Sequence, residues 1–96
     1  MLEKMKAEIE LLTRHVLVVR AVKENQPIGI MKLSELLDLP FHRIRYSLRV
    51  LEQLGYIQAT PAGAIATPLT EEFLKKLDND LDELILLLES MKREKR

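Results

Sequence analysis

Two stretches of the chain repeat apolar residues at the alternating three- and four-residue spacing of a coiled-coil seam. The first lies in a predicted helix from about Leu2 to Glu24, which ends at Asn25-Gln26-Pro27 because proline cannot continue a helix. The second lies in a predicted helix that starts at Thr70, the expected N-cap, and runs toward residue 96. The first seam consists of Leu2, Met5, Ile9, Leu12, Val16 and Val19, and the second of Leu74, Leu77, Leu81, Leu84, Leu88 and Met91.

Shorter elements occupy the middle of the chain. A three-residue break, Asp38-Leu39-Pro40, separates two predicted helices, and Gly55 is placed to end the second of them. A tight turn at Pro61-Ala62-Gly63 separates two predicted strands, which therefore form a β-hairpin. The predicted elements are a brief extended segment at 27–30, helices at 32–37 and 40–54, and strands at 56–60 and 64–67.

This order of elements predicts a mainly α chain with a small β-hairpin, in the α+β class. Two adjacent helices joined by a short turn are the helix-turn-helix signal, and a hairpin directly after them predicts a winged helix-turn-helix. We expect an N-terminal helix over residues 1–25, the helix-turn-helix and wing over 26–69, and a C-terminal dimerisation helix over 70–96.

Composition narrows the class of protein. With 96 residues, 47% of them apolar, the chain has room for one small core. It contains no cysteine, which excludes disulfides and thiol nucleophiles and suits a reducing cytoplasm. The apolar runs are too short to cross a membrane, so we expect a cytoplasmic protein with no membrane partner.

The net charge is zero, with 15 basic and 15 acidic residues, which by itself argues mildly against nucleic-acid binding. The charges are unevenly placed, however. Residues 41–55 hold three arginines against Glu52 alone, residues 56–69 hold no charge, and residues 70–96 hold an acidic excess. A small basic segment beside an acidic arm is compatible with a nucleic-acid face, and also with an ordinary salt-bridged surface.

The stretch from Met31 to Pro40, followed by the stretch from Arg43 to Ile57, resembles the winged-helix transcriptional regulators, especially compact archaeal ones. Its second part is similar to a recognition helix that closes on L-x-x-L-G-Y-I before the wing, and the start of the last helix at Leu69-Thr70-Glu71-Glu72 is similar as well. The resemblance covers roughly residues 14–77 and implies a homodimer that binds double-stranded DNA. Some winged helices bind proteins instead of DNA.

Helical periodicity divides the predicted recognition helix into two faces. Ile44, Ser47, Leu48, Leu51 and Leu54 share the side expected to face the core. The other side presents side chains that can contact bases or phosphates. The candidate DNA-binding residues are His42, Arg45, Tyr46, Arg49 and Gln53 on that side, Arg43 on its flank, and Lys32 and Ser34 at the start of the preceding helix.

The wing lacks lysine and arginine, so only Thr60, Thr67 and backbone amides there could touch a phosphate. This absence leaves open a second function, that of a winged-helix protein-interaction or assembly module without DNA binding. A third possibility is a regulator with a small-molecule pocket beside the dimer helices. The residues do not identify the chemical class of that effector.

The two apolar seams admit two arrangements. They can pair between two copies in a coiled-coil-like dimer, which we favour, or the first and last helices can pair within one chain. The expected dimerisation residues are Leu2, Met5, Ile9, Leu12, Leu74, Leu77, Leu81, Leu84, Leu88 and Met91.

We expect no enzyme, no cofactor and no metal site. The histidines, His15 and His42, are far apart in sequence, and His15 lies beside the apolar stripe of the first helix. The acids between Asp78 and Glu83 are spread around a helix and lack the glycine of a calcium loop.

Overall fold

Four helices and one β-hairpin make up residues 1–92, which are the residues that the structure, a computed structural model, describes. The expected mainly helical α+β class is confirmed. Residues 93–96, which the predicted last helix and its basic run included, lie outside the described residues. The elements are α1 (Leu2–Asn25), α2 (Ile30–Leu37), α3 (Phe41–Gln53), β1 (Ile57–Thr60), β2 (Gly63–Ala66) and α4 (Pro68–Lys92).

The core forms where the second half of α1 meets the short elements. Val18 and Val22 of α1 are fully buried, as are Leu33 of α2 and Ile44 of α3. The spacing of these valines places them on one side of α1, so a single helix face is covered by α2, α3 and the hairpin. The second half of α1 is therefore a core element, whereas its first half is exposed.

The hairpin is held to the segment after α1 by a single bridge. β1 and β2 pair antiparallel, with Thr60 opposite Gly63. The N–H of Ile28 donates to the carbonyl of Ala64 at 3.1 Å, and the N–H of Ala64 donates to the carbonyl of Ile28 at 2.8 Å. The predicted extended segment is therefore present as one antiparallel bridge. The N–H of Ala66 also donates to Gln26 Oε1 at 2.7 Å, which ties β2 to the end of α1.

Hydrogen bonds between Ser34 and the two residues after α2 hold the turn between α2 and α3. Asp38 adopts the left-handed conformation and donates its N–H to the carbonyl of Ser34. The same carbonyl accepts the N–H of Leu39 at 3.3 Å, and the Ser34 hydroxyl donates to the Leu39 carbonyl. Pro40 precedes α3 rather than beginning it, and its carbonyl accepts the first hydrogen bonds of that helix.

Two predictions about local structure are wrong. α4 begins at Pro68, so Thr70 is not the N-cap; it is fully buried, and its hydroxyl donates to the Tyr56 carbonyl at 2.6 Å. Leu54, expected in the core, is 59% exposed, because α3 ends at Gln53 and the chain turns away at Gly55. Helical periodicity does not extend past the last turn of a helix, and a buried threonine satisfies its hydroxyl within the protein.

Both long helices extend beyond the core. Only the start of α4 lies near α1, where Lys23 is 4.0 Å from Glu71 and Phe73 lines the same cavity as Leu12. Leu77 is 5% exposed within the single chain, so this predicted dimerisation residue is already covered. We call the remainder, residues 2–12 of α1 and 81–92 of α4, the arm.

Gly63→Ala is predicted to destabilise the fold by about 2–3 kcal/mol, because Gly63 has a φ of +131° and an added Cβ would lie 2.7 Å from the Ile28 backbone. Gly29→Ala is the matched control, since nothing lies within 4 Å of its added Cβ, and it should cost less than about 1 kcal/mol. Urea unfolding measures both. Equal losses would contradict the close approach at Gly63.

Candidate nucleic-acid interface

α3 presents a polar face to solvent because its apolar positions recur at helical spacing. Ile44, Ser47 and Leu51 are buried, and Leu48 is partly buried, as predicted. The side chains on the opposite side surround a shallow concavity together with one residue of α1. We call this set the basic face; it consists of Arg14, His42, Arg43, Arg45, Tyr46 and Arg49.

The structure therefore brings together five of the eight predicted DNA-binding residues. Gln53 is exposed at the end of α3, and Lys32 is exposed in the first turn of α2. Neither lines the concavity. Ser34 is committed elsewhere, because its one hydroxyl proton goes to the Leu39 carbonyl. Ser34 therefore holds the α2–α3 turn, and we remove it from the candidate interface.

Arg14 is the member of the basic face that sequence reasoning missed. Its Nη1 donates to the Arg43 carbonyl at 3.1 Å, and its Cζ lies 6.0 Å from the ring centroid of Tyr46. At that distance the guanidinium is attracted by the electron-rich face of the ring. Arg14 lies in α1 just after Leu12, and only the packing of α1 against α3 brings it to this face, so spacing along the sequence carried no signal for it.

The arginines of the basic face have no carboxylate partner among residues 1–92. The ion pairs in that range join the N-terminus to Glu3 and Lys23 to Glu71, and both lie elsewhere. Four guanidinium groups therefore share one surface without an ion pair in the described part of the chain, and Glu10 borders that surface beside Arg14 and Arg43. Such a concentration of one sign of charge attracts anions and raises their local concentration.

A hydrogen bond under the basic face joins α1 to α3. Nδ1 of His15 lies 2.9 Å from the hydroxyl oxygen of Ser47, which is fully buried. The His15 ring lies 6.0 Å from the ring of Tyr46. Burial, and secondarily the charge of Arg14, lowers the pKa of His15, because both oppose the charged imidazolium.

The wing offers little to a phosphate. Residues 56–69 carry no charge, and the turn exposes Pro61 and Ala62. The Thr60 hydroxyl donates to the Gly63 carbonyl at 2.7 Å, and the Thr67 hydroxyl donates to the Gly55 carbonyl at 2.6 Å. Both hydroxyls considered for phosphate contact are therefore used inside the fold.

A small apolar cavity lies where the sequence allowed for an effector pocket, between α1, the end of α3 and the start of α4. Its volume is about 180 Å³ and its lining includes Val16, Leu51 and Phe73. Pockets for drug-sized ligands are larger, roughly 300–1,000 Å³. No Asp, Glu, Lys or Arg lines the cavity, and His15 and Tyr56 are its only residues with polar side chains, so its chemistry selects no effector.

Comparison with known proteins finds no matching family model and no matching curated protein. Within residues 1–92, no group of three or more potential metal ligands is close enough to hold an ion. None of the helices over the same range combines the length and the apolar character needed to cross a membrane.

The depressed pKa of His15 predicts a loss of stability on acidification. The unfolded histidine binds a proton more readily than the folded one. The contribution of neutral His15 to the free energy of unfolding is therefore complete above the unfolded pKa of about 6.5, and it falls as the pH decreases through the folded pKa. Urea unfolding at about pH 7.5 and about pH 5.5 should show this loss in the wild type.

His15→Gln should remove this part of the pH dependence, since glutamine does not titrate. His42→Gln, which changes the other histidine of the chain, is the matched control and should keep the wild-type loss. A wild-type pH dependence in His15→Gln would contradict the assignment.

Proposed function

We propose that the chain binds double-stranded DNA as a homodimeric transcriptional regulator, with α3 in the major groove. The observation that carries the proposal is the basic face, an exposed helix surface whose arginines have no acidic partner among the described residues. A major groove about 12 Å wide admits an α-helix, and arginine can bond guanine through two donors or neutralise a phosphate. Neither role needs a cofactor.

The positions on α3 suggest separate roles. Arg45 and Arg49 are one helical turn apart on its exposed side, so both can reach the floor of a groove that the helix enters. Arg43 and Arg14 lie at the flank, where the phosphate backbone would run. We therefore assign base contacts to Arg45 and Arg49 and phosphate contacts to Arg14, Arg43 and His42.

The arrangement of elements supports a winged helix-turn-helix. A short turn, locked by Ser34, joins α2 to α3, and the hairpin follows α3 directly. This order matches the resemblance found in the sequence. The uncharged wing favours binding centred on α3, since its threonine hydroxyls are already bonded within the fold. An intracellular location would follow from this function.

The exposed arm supports a dimer. Met5 and Ile9 of α1, and Leu84 and Leu88 of α4, are about half exposed in the single chain. Such apolar surface is rarely left in contact with water in a monomer. A two-fold dimer would also supply two copies of α3 to one duplex, which implies a pseudo-palindromic site.

Fluorescence anisotropy with mixed-sequence duplex DNA at two salt concentrations tests the proposal. The wild type should bind with a steep salt dependence, because neutralising phosphates releases counterions. Arg45→Glu/Arg49→Glu should lower the affinity at least about tenfold while the circular dichroism spectrum stays unchanged.

Lys4→Glu/Lys6→Glu is the matched control, since it makes the same change of net charge at the far end of α1. It should bind more tightly than the α3 double variant. Absence of salt-dependent binding by the wild type would overturn the proposal and favour the protein-interaction module, for which the uncharged wing is the specific observation.

Arg14→Gln should weaken binding roughly three- to tenfold on every DNA sequence and reduce the salt slope by about 1, as expected for one lost phosphate contact. Arg20→Gln removes another exposed arginine of α1 that does not line the basic face. It should bind as the wild type does. A loss confined to one DNA sequence would instead make Arg14 a base-reading residue.

A further inference from the structure

α3 begins with an exposed phenylalanine. Phe41 is the first residue of the helix, and it is 46% exposed. The other phenylalanine of the chain, Phe73, packs against the core, whereas Phe41 belongs neither to the core nor to the residues packed against it. An aromatic ring offers a large apolar area to any partner that covers it. The ring of Phe41 is therefore available for a contact outside the described chain.

The backbone on both sides of Phe41 is fixed by hydrogen bonds. Before it, the Ser34 hydroxyl donates across the turn between α2 and α3. At its own position, the carbonyl of Pro40 accepts the N–H of Ile44 at 3.2 Å, which closes the first turn of α3. A side chain presented by a fixed backbone loses less conformational freedom when it binds a partner. Phe41 is therefore presented at a defined place relative to the rest of α3.

Phe41 lies in one row with the two arginines that we assign to base contacts. Phe41, Arg45 and Arg49 follow one another at intervals of four residues, and all three are exposed. Residues at this interval form a ridge along the surface of a helix, with a rise of about 6 Å from one to the next. One ridge of α3 thus carries an aromatic ring at its start and two guanidinium groups after it.

The distribution of acids indicates which part of α3 approaches DNA. The helix holds no acid before Glu52, which lies in its last turn. A carboxylate is repelled by phosphate groups, so the part of α3 before Glu52 is the part suited to a groove. Recognition helices contact base edges through their N-terminal residues. The ridge that starts at Phe41 lies in that part of the helix.

We infer that Phe41 contacts the C5-methyl group of a thymine in the major groove and thereby selects that base. A phenyl ring has no hydrogen-bonding atom, and among the groups that base pairs present in the major groove the thymine methyl is the apolar one. The inference rests on the proposed function and deepens it, because it names a base that neither Arg45 nor Arg49 would recognise.

The ridge also places the thymine relative to the guanine that Arg45 would bind. Phe41 precedes Arg45 by about 6 Å along the helix, and base pairs are spaced by about 3.4 Å. The thymine should therefore lie within about two base pairs of that guanine, on the side away from the guanine of Arg49. A two-fold dimer would repeat this arrangement in both halves of the site.

Replacing thymine by uracil tests the contact, since uracil lacks only the methyl group. Selection by the wild type from a pool of random duplexes first identifies the preferred thymines. Fluorescence anisotropy then compares each selected duplex with its uracil counterpart. The wild type should bind the uracil duplex about fourfold more weakly for each half-site changed, the effect expected when one methyl group is removed from an apolar contact.

Phe41→Ala should bind the thymine and uracil duplexes equally. Alanine suits a helix better than phenylalanine does, so the circular dichroism spectrum should stay unchanged. Leu54→Ala is the matched control, because it removes another exposed apolar side chain just after α3, at 59% exposure. It should keep the wild-type difference between the two duplexes.

The outcomes separate this inference from the proposed function. Salt-dependent binding by the wild type without any base preference, or with equal affinity for thymine and uracil, would overturn the inference alone. A uracil effect that persists in Phe41→Ala would assign the methyl group to another residue and also overturn it. Absence of salt-dependent binding to any duplex would overturn both.

Discussion

The packing of α1 against α3 is the contact on which the rest of the structure depends. Val18 and Val22 contribute to the core over which α3 lies, and one turn earlier His15 bonds the buried hydroxyl of Ser47. Arg14, next to it, crosses to the Arg43 carbonyl. α1 thus supplies apolar residues beneath α3, the hydrogen bond from His15 to Ser47, and the guanidinium of Arg14 on the exposed face of α3. The same helix continues outward beyond the core without a break, so its exposed first half and its contact with α3 belong to one element.

The sequence predicted most of the fold because the elements follow strong local rules. Proline, glycine and the three- and four-residue apolar spacing marked every helix and both strands within a few residues of their observed bounds. The errors lie where tertiary contacts decide. Thr70 has the side chain of an N-cap, yet its hydroxyl is used by the Tyr56 carbonyl, and Leu54 has the period of a core residue just beyond the last residue of α3.

The candidate site was less predictable. The face of α3 follows from periodicity, which identified Arg45, Tyr46 and Arg49. Arg14 joins that face through a contact between residues 29 positions apart, and no pattern along the chain encodes such a contact. Ser34 was predicted to contact a phosphate because it lies near the start of a helix. A hydroxyl there can equally stabilise a turn, and in the structure it donates to the carbonyl of Leu39. The sequence also did not show which residues of the two apolar seams are buried within the chain. Spacing alone does not say whether Leu77 is covered by its own chain or by a partner.

The burial gradient along α1 and α4 has a mechanical consequence. From the core outward, exposure rises from 1% at Val19 to 39% at Leu12 and 70% at Leu2. Helix ends held by few buried contacts fray first, so in an isolated chain amide protons should exchange progressively faster toward the tip of the arm. Each long helix is then anchored at its core end alone, and burial of its exposed turns against any partner would slow that exchange back toward the turn that carries Arg14.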